Sequence, residues 1–216
     1  KKGREIIYDE SGCQEIVITR KNNEIYDAIY LGDKKTVKAC FKNDLLDGPM
    51  EILLIINNNI MYPKYNKIVK IFKEGELNQI KKYYNKELIE CNDIQNGLMH
   101  GWSLKWNRPN KINEICYYKN NKPTGRLCLM YDNYKRKEYF DLKDGIMDGN
   151  YIVVSKYLNK TVPYKNGIID GVIKEKYNQI NIEYKLRFMN GLFNNFYSKN
   201  DGTTKTDYFI YKDLFI

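Results

Sequence analysis

The stretch "YKNGIIDGV" (residues 164–172) decides how this chain folds. Asn166-Gly167 is a dipeptide suited to a two-residue hairpin turn, in which both central residues take positive φ. Four residues beyond Gly167 stands a second glycine, Gly171, preceded by Asp170. Used once, such a phrase marks a turn. It recurs as "NNEIYDAI" (22–29), "FKNDLLDGP" (from 41), "FKEGELNQI" (from 72) and "IQNGLMHGW" (from 94). It continues as "YKNNKPTGR" (from 118), "LKDGIMDGN" (from 142) and "FMNGLFNNF" (from 188). From residue 72 onward the starts are 22 to 24 residues apart, while the earlier gaps are irregular. A period of this size is the mark of a repeat architecture.

Four columns of the repeat carry physical meaning. The first turn position holds Gly75, Gly97, Gly145, Gly167 and Gly191, or else Glu24, Asp44 and Asn121. The closing position holds Gly48, Gly101, Gly125, Gly149 and Gly171, with Ala28, Gln79 and Asn195 as departures. Ten of the 14 glycines fall in these two columns, which chance does not produce. Before the closing glycine stand Asp27, Asp47, Asn78, His100, Thr124, Asp148, Asp170 and Asn194, all able to bond nearby backbone groups. One column earlier stand Tyr26, Leu46, Leu77, Met99, Pro123, Met147, Ile169 and Phe193. The pattern predicts a bend with one apolar side chain tucked beneath it and one polar cap.

A second set of turns is predicted between the phrases. Its members are Ser11-Gly12, Gly32-Asp33, Asn66-Lys67, Asn85-Lys86, Asp132-Asn133, Asn159-Lys160, Asn178-Gln179 and Asp201-Gly202. Between turns run short β-type stretches. In "INIEYKLRF" (180–188), Ile180, Ile182, Tyr184, Leu186 and Phe188 alternate with polar residues. Residues 76 to 90 carry a weak helical ambiguity. The expected fold is all-β: an elongated, solenoid-like antiparallel β-meander of about eight β-hairpin repeats. They form one domain over 1–216, with units near 20–40, 41–71, 72–93, 94–117, 118–141, 142–163, 164–187 and 188–216. A lone hairpin buries too little to be stable, so each repeat depends on its neighbours. "YFIYKDLFI" (208–216) is expected to close the array as an apolar lid, its deletion lowering the melting temperature. "INNNIMYPKYNK" (56–67) is expected to protrude as a loop.

The net charge is +9 and the isoelectric point about 9.1, a field that favours acidic partners. Abundant Lys, Asn, Ile and Tyr are also what AT-rich coding sequence yields. Only six arginines are present and they are scattered, which argues against nucleic-acid readout. Five cysteines without a C-x-x-C pair argue against a disulfide scaffold or zinc, and fit a reducing, cytoplasmic compartment. Cys116 and Cys128 flank one turn, either facing each other across strands or standing as free neighbouring thiols. The longest apolar run, "ILLII" (52–56), is far too short to span a bilayer.

The phrase as a whole resembles the MORN repeat superfamily, in particular its divergent branch with a unit near "Y-x-N-G-x-x-x-G-x-W-x-x-Y-Y-x-N-G". "YKNGIIDGVIKEKYNQ" (164–179) is the nearest match, "YDESG" (8–12) and "KKYYNKE" (81–87) resemble its second turn, and "HGWSLKW" (100–106) supplies the tryptophan. The tryptophan column is filled only by Trp102, and the unit between 41 and 72 is stretched. The resemblance implies interaction and scaffolding roles, including antitoxin or immunity proteins and components of viral assemblies. It also implies membrane association, and it transfers no catalytic residues.

Catalytic chemistry finds little footing. His100 is the sole histidine and sits in the turn-capping column, and the four serines occupy no G-x-S-x-G context. The recurring Asp27, Asp47, Asp148 and Asp170 supply one carboxylate per repeat, where calcium wants six to eight oxygens. The expectation is a non-enzymatic module without cofactor or metal. Its partner-binding candidates are Trp102, Trp106, Arg108 and Tyr131, aromatic and Arg residues of the kind that anchor interfaces. Trp102 and Trp106, four apart and so on one strand face, also fit a plain core role. The leading expectation is a protein partner; the alternative is anionic phospholipid at a membrane surface.

Overall fold

Two-residue turns set the architecture. Both central residues take positive φ at Asn22-Asn23, Asn43-Asp44, Glu74-Gly75, Asn85-Lys86, Asn96-Gly97, Asn120-Asn121, Asp144-Gly145, Asn166-Gly167 and Asn190-Gly191. That is the turn whose twist matches the strands it joins. The first phrase therefore turns on Asn23 rather than Glu24, one residue earlier than the repeat alignment places it, and the glutamate exception in that column disappears. Glu74 (φ 51°) and Lys86 (φ 72°) remain as non-Gly, non-Asx residues in such turns. Glu74→Asn is expected to raise stability by about 0.5–1 kcal/mol, because Asn tolerates this region better. A urea midpoint that stays still or falls would count against it.

The computed structural model describes residues 2–54, 66–108 and 111–209. The proposed loop falls largely on 55–65, and the proposed lid on 210–216 with the side chains of Tyr208 and Phe209. Both lie outside the described residues. The chain divides into two units, Lys1–Lys111 and Ile112–Ile216. In the first, β1 (Lys2–Tyr8), β2 (Gln14–Lys21), β3 (Glu24–Leu31), β4 (Lys35–Lys42), β5 (Leu45–Leu54), β6 (Lys67–Lys73), β7 (Glu76–Tyr84), β8 (Glu87–Gln95) and β9 (Leu98–Arg108) pair antiparallel in chain order.

The second unit repeats the plan. Its strands are β10 (Lys111–Lys119), β11 (Lys122–Tyr131), β12 (Arg136–Lys143), β13 (Ile146–Ser155), β14 (Leu158–Lys165), β15 (Ile168–Ile169), β16 (Gly171–Tyr177), β17 (Ile182–Met189), β18 (Leu192–Asn200) and β19 (Lys205–Phe209). Each again pairs antiparallel with the next, except that β14 pairs with both β15 and β16. Each unit is thus an open all-β meander. Among the described residues the only helical element is the 3₁₀ turn Asp132–Tyr134, so none is long and apolar enough to cross a membrane. The ambiguous segment 76–90 is β7, a turn and the start of β8.

Two details of the second turn set differ from expectation. Asn159 and Lys160 lie inside β14, and the turn falls earlier, where Ser155 Oγ accepts from Tyr157 N (3.2 Å) and Leu158 N (2.9 Å). A serine hydroxyl organises this turn, so the Asn-Lys dipeptide does not mark it. Ile180 and Asn181 likewise belong to the turn before β17, with Asn181 at φ 49° and Ile180 exposed.

The closing glycines are not in turns. They lie in strands, at β-bulges where one residue of the preceding strand faces three. Asp141 stands opposite Asp148, Gly149 and Asn150, between the pairs Phe140↔Tyr151 and Leu142↔Met147. Asp93 faces His100, Gly101 and Trp102 in the same way, and Cys40 faces Asp47, Gly48 and Pro49. A bulge of this kind bends the strand and tightens its twist. Carboxylates on the facing strand close it: Asp141 Oδ2 accepts from Asn150 N (3.0 Å) and Asp93 Oδ2 from Trp102 N (3.0 Å). Of the apolar column, Leu46, Met99, Met147, Ile169 and Phe193 are half-buried as expected, whereas Tyr26 is exposed.

Asp141 also takes a forked contact from Arg126, Nε to Oδ1 at 2.7 Å and Nη2 to Oδ2 at 3.1 Å. The Arg126 hydrogen bond, helped by Asn150 N–H, holds this carboxyl below its ordinary 3.8 against the opposing effect of burial. A carboxyl depressed in the folded state stabilises it above the unfolded pKa and loses that contribution as pH falls through the folded value. Asp141→Asn is therefore expected to be less stable than the parent at pH 6. The gap should close as the pH falls below 3.8. Melting curves at stepped pH check this; a gap that widens in acid would contradict it.

Stacking of repeats has its own bonds. Gly75 N–H donates to Leu46 O (2.8 Å), Gly145 N–H to Pro123 O (2.8 Å), Gly167 N–H to Met147 O (2.7 Å) and Gly191 N–H to Ile169 O (2.8 Å). Four of the five first-turn glycines thus tie to the apolar column of the repeat before them. In the second unit one face collects the buried apolar side chains. Leu127, Phe140, Tyr151 and Val162 run across β11 to β14, and Ile173, Leu186 and Tyr197 across β16 to β18. Beside them on that face lie buried Val153 and Glu138. Phe140 and Tyr151 stack with centroids 4.7 Å apart. In the first unit, Ser103 Oγ donates to Asn92 Oδ1 (2.7 Å), satisfying a buried polar pair.

Candidate functional site

The four residues singled out from the sequence are distributed over both units. Trp102 and Trp106 lie on β9 of the first unit, Trp102 in the bulge opposite Asp93 and Trp106 just past the regular ladder that pairs Leu104 with Cys91. Trp106 is half-buried and Trp102 is 52% exposed, so the two do not form a common core. Trp102 owes its position to the bulge at Gly101. Arg108 ends β9, and its side chain is outside the described set. Tyr131 ends β11 in the second unit, opposite Arg136, whose guanidinium carbon sits 5.7 Å from the ring centroid. Cys116 and Cys128 do not face each other: Cys128 pairs with Ile115, Cys116 occupies a bulge, and neither is in a disulfide.

Tyr131 leads to a basic surface of the second unit. Arg136 pairs across the sheet with Ser155, so two successive turns meet at this end of the strands. They enclose a groove of about 620 Å³ lined by Lys135, Arg136, Val153, Ser155, Lys156, Tyr157 and Leu158. The lining holds three cations and no carboxylate. Its floor is apolar, Val153 being buried and Leu158 half-buried, while Tyr157 forms a wall with its ring 57% exposed. Lys156 Nζ lies 5.6 Å from that ring's centroid. Beneath, Arg136 pairs with the carboxylate of Glu138, which also accepts from Tyr151 Oη at 3.2 Å. Burial, and the carboxylate next to it, push the Tyr151 phenol above its ordinary 10.0, so it stays a donor at neutral pH.

The groove on the first unit is different. Its lining includes Glu51, whose Oε1 lies 2.7 Å from Lys67 Nζ, so its charge is partly balanced. At the opposite ends of the second unit's strands lies a ridge rather than a groove. Ile146, Ile168, Leu192 and Met189 are 54%, 51%, 67% and 57% exposed. Each next turn settles against the ridge: a Cβ on Gly167 would lie 3.3 Å from Ile146 Cγ2, and one on Gly191 3.0 Å from Ile168 Cγ2. Among the described residues no three His, Cys, Asp or Glu side chains come together to hold a metal.

Sequence reading named Tyr131 but not Lys135, Arg136 and Lys156, because these meet only when two turns about 20 residues apart are brought side by side. The missing signal was strand register. No protein-family model matches this chain, and no curated protein is significantly similar to it.

Proposed function

We propose that the chain is a non-enzymatic interaction module of the MORN-like kind that binds a protein partner, in the manner of an immunity or antitoxin protein or a structural component of a larger assembly. The observation that supports this reading is the ridge of Ile146, Ile168, Met189 and Leu192. Contiguous exposed apolar side chains rimmed by polar residues mark interaction surfaces. Affinity capture on the whole chain from its native source tests it. A stoichiometric partner whose capture is lost in Ile168→Asp/Leu192→Asp supports the proposal; absence of any stoichiometric protein sinks it.

A second reading, a peripheral module on anionic phospholipid, draws on the +9 charge and the three groove cations. Flotation with phosphatidylserine vesicles separates the two. Flotation that disappears at high salt favours the lipid reading, and its absence at low salt ends it.

A further inference from the structure

We propose that the groove between the two turns of the second unit takes an acidic peptide segment carrying an apolar side chain next to its carboxylates. This rests on the protein-partner reading and names the chemistry of the segment. Three features of the groove select that chemistry. Lys135 and Lys156 line it beside Arg136, whose charge Glu138 balances from beneath, and the lining itself holds no carboxylate, so its field favours an anion. Val153, Leu158 and the exposed ring of Tyr157 give it an apolar floor and wall, which a bare phosphate or sulfate would leave unused.

The third feature concerns the turn backbone. Tyr157 N and Leu158 N donate to Ser155 Oγ, and Ser155 Oγ donates to Leu158 O (3.0 Å). The turn therefore spends these donors internally and does not form a nest of free N–H groups around an anion. Recognition falls to long, mobile cationic side chains. Those suit the spaced carboxylates of a peptide better than one compact, fully enclosed anion. A volume of about 620 Å³ holds a few side chains of such a segment, and the concave shape disfavours a flat bilayer.

Fluorescence anisotropy on the full chain tests this with three labelled decapeptides: alternating Glu-Leu, alternating Glu-Ser, and alternating Lys-Leu. The Glu-Leu peptide should bind about ten-fold tighter than Glu-Ser, and Lys-Leu not at all. Lys135→Glu/Lys156→Glu should weaken Glu-Leu binding by at least about ten-fold, and Tyr157→Ala by roughly three-fold. Lys143→Glu/Lys165→Glu, at exposed positions at the opposite ends of the second unit's strands, is the control for the general field and should change little. Circular dichroism confirms that each variant keeps its strands.

Equal binding of Glu-Leu and Glu-Ser would overturn the proposal in favour of a polyanion site. An equal loss in the control pair would reduce it to net charge. Binding of phosphatidylserine vesicles that depends on Lys135 and Lys156, with no peptide binding, would overturn it in favour of a membrane. If a captured native partner is retained by Lys135→Glu/Lys156→Glu, the groove proposal fails while the partner reading stands.

Discussion

Gly149→Ala is expected to lower the melting temperature by roughly 10 °C, the larger part of a cost of about 3 kcal/mol in a chain of this size. Two effects add. Gly149 sits at φ 121°, outside even the small left-handed region that Asn and Asp visit. A Cβ there would also lie 2.6 Å from Asp141 Cβ and 3.1 Å from Asp141 Oδ2. Cβ of Asp141 is fixed to the backbone of β12, so the clash is relieved only by opening the bulge. That opening breaks the bond from Asn150 N and loosens the fork with Arg126.

The contrast is Gly97→Ala. Gly97 has φ 74° and nothing within 4 Å of a built Cβ. Its cost should be about 1 kcal/mol, and Gly97→Asn should cost less still. Equal melting shifts for Gly149→Ala and Gly97→Ala would show that the bulge geometry is not what the closing glycine serves.

Val162→Asp should do comparable damage by another route. Val162 is 4% exposed on β14, pairs with Tyr151, and stands on the face that carries Val153 and Ile173. Placing a carboxylate there removes apolar burial and strands a charge away from a partner, a cost of about 3–4 kcal/mol. In a one-dimensional array the damage should stay local. Amide hydrogen exchange is expected to accelerate most in β13, β14 and β16, and to fade over the next strands on either side. Uniform acceleration through β10 to β19 would show instead that the second unit opens as one block.

Much of this fold is legible in one sequence because its turns are written in residues that tolerate positive φ. Asn96-Gly97, Asp144-Gly145, Asn166-Gly167 and Asn190-Gly191 announce hairpins, and the 22–24-residue spacing announces repetition. The closing glycine was harder. Turn and bulge both recruit glycine for positive φ, and only the count of residues facing one another tells them apart. That count is a property of the pairing. For the same reason the capping carboxylates Asp93 and Asp141 escape a reading confined to one phrase, since they act from the neighbouring strand.

The surface was less legible than the frame. Lysines spread along a basic chain look alike until register gathers some and scatters others. Lys135 and Lys156 line one groove, whereas Lys67 and Lys82 meet the carboxylates of Glu51 and Glu90. Trp102 stands exposed in a bulge and Trp106 half-buried four residues on, so spacing alone does not tell an anchor from a core residue.

The four turn-to-carbonyl bonds all run in the same sense, from a glycine N–H to an oxygen earlier in the chain. During synthesis the amino-terminal end leaves the ribosome first. Each of these four loops would then meet its acceptor already in place, like a zip fastener drawn in one direction. A circular permutation keeps that order except across its new termini, so a cut placed between Met147 and Gly167 would leave the Gly167 amide waiting in water for its acceptor.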